Sequence, residues 1–90
     1  MSKSICLELI QSLESYRDGS LSGNELLKLW ENTVLEFRPI YYNLCHLVAD
    51  EDIRQDDKEY SDMQIRQLNI LIYGLQHNEN IENLKQISFL

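Results

Sequence analysis

Apolar residues recur at helical spacing in four separate stretches of the chain. In the first stretch, Ile5, Leu9, Leu13 and Tyr16 lie three or four residues apart, with Glu and Gln on the other face. This pattern predicts an amphipathic helix over residues 4–16. The Asp-Gly-Ser sequence that follows it supplies a left-handed stop and a turn.

The second stretch begins with a capping box. The Ser22 hydroxyl can accept a hydrogen bond from the Glu25 amide, while the Glu25 carboxylate reaches back to the Ser22 amide. Apolar residues then continue through residues 34–35 (Val and Leu) to Phe37. We expect this helix to end near Arg38, because the residue before a proline is pushed out of the helical region.

Pro39 is suited to the first position of a third helix, which we expect to fray or bend in the acidic sequence that follows. The fourth helix has two alternative starts: a capping-box sequence at residues 61–64 or an aspartate at position 56 or 57. It is predicted to run to about His77. Apolar residues within 81–87 then indicate one or two more helical turns.

These elements predict an all-α fold, an antiparallel four-helix bundle with a short C-terminal fifth helical segment, in one domain over residues 1–90. Three glycines and one proline are few for an all-β chain, and 43% hydrophobic residues support a single modest core. Trp30 lies in the middle of the second helix, and we expect it to be the central packing residue of that core.

The sequence shows neither a signal peptide nor an apolar run long enough to cross a bilayer. We therefore expect a cytoplasmic protein. Cys6 and Cys45 both lie in apolar helical patterns, and in that compartment they are expected to be reduced core thiols. A disulfide between them is the alternative.

Acidic residues are concentrated in residues 50–62, called here the acidic segment. Seven acidic and two basic side chains give it a formal charge of −5, out of −7 for the whole chain. A pI near 4.6 argues against direct binding to nucleic acid or to an anionic membrane, which both require clustered Lys and Arg. A basic protein is the partner that this segment would attract. A solvated connection that merely keeps the protein soluble is the alternative.

We expect no catalytic, metal or cofactor site. As a calcium loop starting at Asp50, the acidic segment has Arg54 at a ligand position, Gln55 where the turn needs glycine and Ser61 in place of the bidentate glutamate. Possible zinc ligands are scattered without paired spacing. The chain has no glycine-rich phosphate loop and no nucleophile with a base at a meaningful spacing, so it is not expected to be an enzyme.

Tyrosines accompany the carboxylates: Tyr41 and Tyr42 precede the acidic segment and Tyr60 lies within it. Aromatic side chains supply interface area at low entropic cost, while carboxylates make bidentate contacts with Arg and steer encounter with a basic protein. The combination is what an inhibitor of a basic protein would need. Each tyrosine could equally pack in the core.

The sequence from Cys45 to Tyr60, after Leu29-Trp30 and a helix end at Phe37, resembles the small acidic immunity proteins of bacterial toxin systems. Those of colicin D type and of contact-dependent growth inhibition are the nearest. The resemblance covers about residues 20–75 and rests on the pattern Asp-x-Asp-Ile-Arg…Asp…Tyr on a helical chain. It implies a protein that blocks, one to one, the C-terminal domain of a cognate toxin, often a nuclease such as a tRNase with a basic active site.

The resemblance further implies that the carboxylates stand in for substrate phosphates, with Tyr60 packing at the centre of the contact. Occlusion beside the active site is the alternative mechanism. We expect Ile53 to point into the core and Arg54 to pair with Asp50 or Asp57 and so fix the shape of the segment. A competing hypothesis is an adaptor module that binds through the apolar face of its second or fourth helix. The implied partner-binding residues are Asp50, Asp52, Asp56, Asp57, Glu59, Tyr60 and Asp62.

Overall fold

The computed structural model describes residues 3–32, 37–77, 81–84, 86–87 and 89. Every regular element within these ranges is a helix, which confirms the all-α class. None of the described helices combines the length and the apolar composition that a bilayer span requires. The helices of the described chain are α1 (Lys3–Asp18), α2 (Gly23–Glu31), α3 (Arg38–Ala49), α4 (Glu51–Asp56), α5 (Lys58–Gln76) and α6 (Ile81–Leu84).

Local signals define both ends of the connection between α1 and α2. Gly19 has a φ of +86°, so it adopts the left-handed conformation that ends α1. The predicted capping box is present: the Glu25 amide donates to Ser22 Oγ over 3.2 Å, and the Ser22 amide donates to Glu25 Oε1 over 3.3 Å. Both sequence predictions are confirmed.

The predicted continuation of the second helix to Arg38 is wrong. Helix α2 ends at Glu31 with Asn32 as its C-cap, and Phe37 is the N-cap residue of α3. The sequence Asn-Thr-Val at 32–34 is a run of poor helix formers, which accounts for the early end. The predicted helical positions 34–35 lie outside the described residues. Pro39 occupies the first turn of α3, as expected.

The acidic segment contains two helix boundaries. Asp50 ends α3 and begins α4, so the predicted bend in this segment is confirmed and takes the form of a separate short helix. Asp57 is the N-cap of α5, and its carboxylate accepts a hydrogen bond from the Tyr60 amide over 3.1 Å. The earlier of the two predicted starts is therefore correct, and the capping-box sequence at 61–64 lies inside the helix.

Trp30 is fully buried in the core, as predicted. Its indole N–H donates to Ser12 Oγ over 3.0 Å, and its ring packs against Phe37 with the centroids 6.1 Å apart. Helix α1 packs on α2 and α5, α2 packs on α3, and α4 packs on α5. Cys45 is a free, half-buried thiol on α3, whereas the side chain of Cys6 lies outside the described residues.

Candidate protein-binding surface

The side chains of the acidic segment point in two directions, because α4 and the first turns of α5 each have an inner and an outer face. The inner face carries a network of hydrogen bonds that joins α1, α3, α4 and α5. The outer face carries exposed carboxylates. The inward residues of the segment are Asp50, Glu51, Arg54 and Tyr60, and the outward ones include Asp52, Ile53, Asp56, Glu59 and Asp62.

Arg54 is the cation of the inner network, and its side chain is only 12% exposed. One guanidinium nitrogen, Nη1, donates to the backbone oxygen of Leu47 and to Oε1 of Gln64, while Nη2 donates to the Tyr16 hydroxyl over 2.7 Å. The expected internal role of Arg54 is confirmed. Its expected carboxylate partner is wrong, since the ion pair is with Glu51, at 4.0 Å between Nη2 and Oε2.

Asp50 does not pair with Arg54 because its carboxylate is already bonded. Its Oδ2 accepts from the Tyr60 hydroxyl over 2.6 Å and from Gln64 Nε2 over 3.1 Å. Glu51 lies one helical turn before Arg54 on α4 and so faces the guanidinium instead. Asp57 is occupied at the N-terminus of α5, where it caps the helix.

Gln64 connects both halves of this network and is completely buried, with 0% exposure. The two hydrogens on its Nε2 are shared among three acceptors: the backbone oxygen of Phe89 at 2.6 Å, and Asp50 Oδ2 and the Tyr60 hydroxyl at 3.1 Å each. The capping-box prediction for residues 61–64 assigned Gln64 to a helix start and did not predict its burial. The available signal was its position on the inner face of α5, four residues after Tyr60 and four before the buried Leu68.

The pKa values of two phenol groups, those of Tyr16 and Tyr60, are raised in this environment. The Tyr16 hydroxyl donates to Glu51 Oε2 over 2.6 Å, and burial together with that hydrogen bond raises the Tyr16 pKa well above its usual 10.0. The hydrogen bond to Asp50 likewise raises the pKa of Tyr60. Each phenolate would form next to a carboxylate, which is unfavourable.

The inner network is fully satisfied, since no buried side-chain nitrogen or oxygen in the described chain lacks a hydrogen-bond partner. Two predicted contact residues, Asp50 and Tyr60, belong to it and are half-buried. The Tyr60 hydroxyl and Oδ2 of Asp50 already have partners within the protein. These two residues therefore support the acidic segment from inside, and the free carboxylates lie elsewhere on it.

The outward carboxylates are those of Asp52 and Asp56 on α4 and of Glu59 and Asp62 on α5. All four are exposed, and none forms an ion pair with a described residue. Asp52 and Asp56 are four residues apart, and Glu59 and Asp62 are three apart, so each pair shares one face of its helix. Asp57 is also exposed, although its carboxylate is engaged as the cap of α5. We call the four free carboxylates the outer acidic face.

Comparison with models of known families, with curated proteins and with solved structures finds no match to this chain. A function must accordingly be inferred from its own surface.

Ile53 lies at the edge of the outer acidic face, and the expectation that it points into the core is wrong. Its side chain is 48% exposed. Arg54 takes the inward direction on α4, and the preceding residue is rotated by about 100° from it on an α-helix. Ile53 therefore lies beside Asp52 and one turn before Asp56, as an exposed apolar residue at the edge of the outer acidic face.

The other tyrosines of the prediction are divided between core and surface. Tyr41 is half-buried and packs against the core, whereas Tyr42 is exposed; their rings are 5.7 Å apart on α3. The alternative of core packing is thus correct for Tyr41. Among the described residues, no three His, Cys, Asp or Glu side chains are grouped so that they could hold a metal ion.

Apolar side chains are also exposed away from the acidic segment. Leu29 of α2 is 54% exposed and, with Leu21, lines a shallow groove against α1. Ile70 and Tyr73 of α5 are exposed beside a smaller groove next to α6. These are the surfaces on which an adaptor function would depend.

Proposed function

We propose that this protein is a cytoplasmic immunity protein, which binds and neutralises the C-terminal domain of a cognate bacterial toxin. The observation that carries the proposal is the outer acidic face: four exposed carboxylates without ion-pair partners among the described residues, on a segment supported from inside. The toxin domain is proposed to be a nuclease, such as a tRNase, and to bind one to one. The protein is proposed to make no direct contact with nucleic acid or a membrane and to have no enzymatic activity.

The mechanism is occlusion of a basic active site. Carboxylates attract Lys and Arg over long distances and accelerate encounter, and at contact they make charge-assisted hydrogen bonds like those of substrate phosphates. Ile53 would supply an apolar anchor at the edge of the contact. Mimicry of phosphates and occlusion beside the active site both use the same surface.

The inner network serves this mechanism through preorganisation. Binding is weakened by the entropy lost when mobile groups become ordered, so a segment that is ordered beforehand binds more tightly. Arg54 and Gln64 hold α4 and the start of α5 against the core. The four longer helices α1, α2, α3 and α5 are proposed to form the antiparallel bundle on which the acidic segment is mounted.

The proposal is tested by co-expressing this protein with the domain encoded immediately upstream and measuring growth and pull-down at graded salt. Rescue of growth and a one-to-one complex that weakens with salt are expected. In the test variant Asp52 and Asp56 become Lys; in the control, which has the same change in net charge, Glu8 and Glu31 become Lys. The control residues are exposed on α1 and α2. Loss of rescue in the test variant alone supports the outer acidic face.

A second candidate is an adaptor module that binds through apolar surface on α2 or α5. The exposure of Leu29 and Tyr73 favours it. In that case Leu29→Glu or Tyr73→Glu would abolish binding to the physiological partner, while the Asp52 and Asp56 variant would bind normally. A harmless upstream domain that fails to bind would also favour this candidate over the immunity function.

A further inference from the structure

Ile87 and Phe89, near the C-terminus, are held against the helices by side-chain amides from two directions. Asn43 on α3 donates from Nδ2 to the backbone oxygen of Ile87 over 2.9 Å, and Gln64 on α5 donates to that of Phe89 over 2.6 Å. The Phe89 side chain is 1% exposed and belongs to the core. This part of the chain is therefore docked by both apolar burial and directed hydrogen bonds.

The Gln64 amide that binds Phe89 also binds the acidic segment. Its Nε2 lies 3.1 Å from Asp50 Oδ2 and from the Tyr60 hydroxyl, and that hydroxyl lies 3.5 Å from the Phe89 oxygen. On the other side of the amide, Oε1 accepts from Arg54. The C-terminal segment and the acidic segment thus share one buried group.

We propose that docking of Phe89 keeps the acidic segment ordered, and we call this coupling the latch. A planar amide has a fixed relation between its oxygen and nitrogen, so the Phe89 carbonyl and the Arg54 guanidinium orient Gln64 together. If the carbonyl leaves, the amide nitrogen loses its shortest hydrogen bond, and its two N–H groups keep only the longer contacts to Asp50 Oδ2 and the Tyr60 hydroxyl, so that the amide is held less tightly between the C-terminal backbone and Arg54. Displacement of Phe89 therefore loosens the contacts of Gln64 with Asp50, Tyr60 and Arg54.

The latch is a property of the folded chain alone and does not depend on the proposed function. It gives the acidic segment two states, fixed when Phe89 is docked and loose when it is released. Any event that displaces the C-terminal residues would then change the order of the outer acidic face without touching it. Coupling of this kind is reciprocal, so disorder in the acidic segment also weakens docking of Phe89.

Amide hydrogen exchange of the free protein tests the latch. Phe89→Ala keeps the backbone carbonyl but removes the buried side chain that docks it on Gln64. Undocking breaks that hydrogen bond, which is expected to accelerate exchange at residues 54–64 by about tenfold relative to the amides of α2. The matched control is Leu44→Ala on α3, which removes a fully buried side chain that makes no bond to the network. Exchange in the control should rise without that preference. Equal acceleration throughout the chain in Phe89→Ala, as in the control, would overturn the proposal.

A double-substitution cycle adds a readout that mere loss of core packing would not change. In a Gln64→Met background the hydrogen bond from Gln64 to the Phe89 carbonyl is already absent. Adding Phe89→Ala should then no longer affect exchange at residues 54–64 selectively. A persistent selective effect in that background would contradict the role of Gln64. Where Phe89→Ala fails to fold, Phe89→Leu replaces it and should give the same distribution with a smaller amplitude; uniform exchange there would equally overturn the latch.

Discussion

The hydroxyl of Tyr60 on α5 donates a hydrogen bond over 2.6 Å to the carboxylate of Asp50, the residue between α3 and α4. Both residues belong to the most acidic part of the chain, yet this contact turns them inward. The carboxylates that remain free are on the opposite side of the same segment. The acidic segment thus contains both inward residues that support it and outward carboxylates that form its exposed face.

Arg54 should be essential to stability although it belongs to a charged, partly exposed sequence. Arg54→Met leaves the buried oxygen of Gln64 and the Leu47 carbonyl without their donor, which should lower the free energy of unfolding by about 2–4 kcal/mol. Urea denaturation measures the change. Arg66→Met, at an exposed position of α5, is the control and should shift stability by no more than about 0.5 kcal/mol. Equal stability of the two variants would contradict the network.

Asp57 should contribute to helix stability, which complicates its use as a probe of binding. Asp57→Ala removes the cap from the Tyr60 amide and should lower the free energy of unfolding by about 1 kcal/mol. Asp57→Asn keeps a capping oxygen and removes the charge, so it should retain most of the stability. Thermal and urea unfolding distinguish them. If Asn were as destabilising as Ala, the negative charge and not the hydrogen bond would be responsible.

Alkaline pH should destabilise the protein through Tyr16. Its folded-state pKa is raised above the unfolded value of 10.0, so its contribution to stability is complete below about pH 10 and is lost as the pH rises further. Tyr16→Phe should be less stable at pH 8 but should lose less additional stability between pH 10 and 11.5. Asp57→Ala, which retains Tyr16, should keep the wild-type dependence. Parallel pH curves for wild type and Tyr16→Phe would show that Tyr16 is not responsible.

Ile53 should matter for binding and hardly at all for folding. Ile53→Ala should change the free energy of unfolding by less than about 1 kcal/mol, since the side chain is already about half exposed. In a complex with the proposed toxin domain it should weaken affinity by roughly tenfold, as expected for an apolar side chain that becomes buried in the contact. Ile40→Ala is the matched control: Ile40 is buried, and its truncation should cost about 2–5 kcal/mol of stability. A large stability loss in Ile53→Ala would indicate that Ile53 is buried in the core, as the sequence predicts, and would contradict its surface position.

Features controlled by neighbouring residues could be predicted from the sequence. The left-handed turn at Gly19, the capping box at Ser22 and the alternative cap at Asp57 each depend on atoms within a few positions. Burial of Trp30 followed from its place on a wide apolar face.

Features that depend on distant residues could not be predicted. Asp50, Arg54 and the Phe89 carbonyl, from separate parts of the chain, converge on the buried Gln64 amide, and spacing alone cannot reveal that convergence. Ile53 was expected inside because it is apolar, yet Arg54 has more partners there and takes the inward direction. On a helix as short as α4, one inward residue determines where the others point.

The most direct test of the central claim is the rate of association between this protein and the proposed toxin domain, the one encoded immediately upstream, measured by stopped flow over a range of salt concentrations. The account predicts that the Asp52 and Asp56 to Lys variant associates more slowly and with a weaker salt dependence than wild type, with helix content unchanged. The Glu8 and Glu31 to Lys control should remain close to wild type. Identical salt dependence in the Asp52 and Asp56 variant and the wild type would contradict electrostatic capture by the outer acidic face.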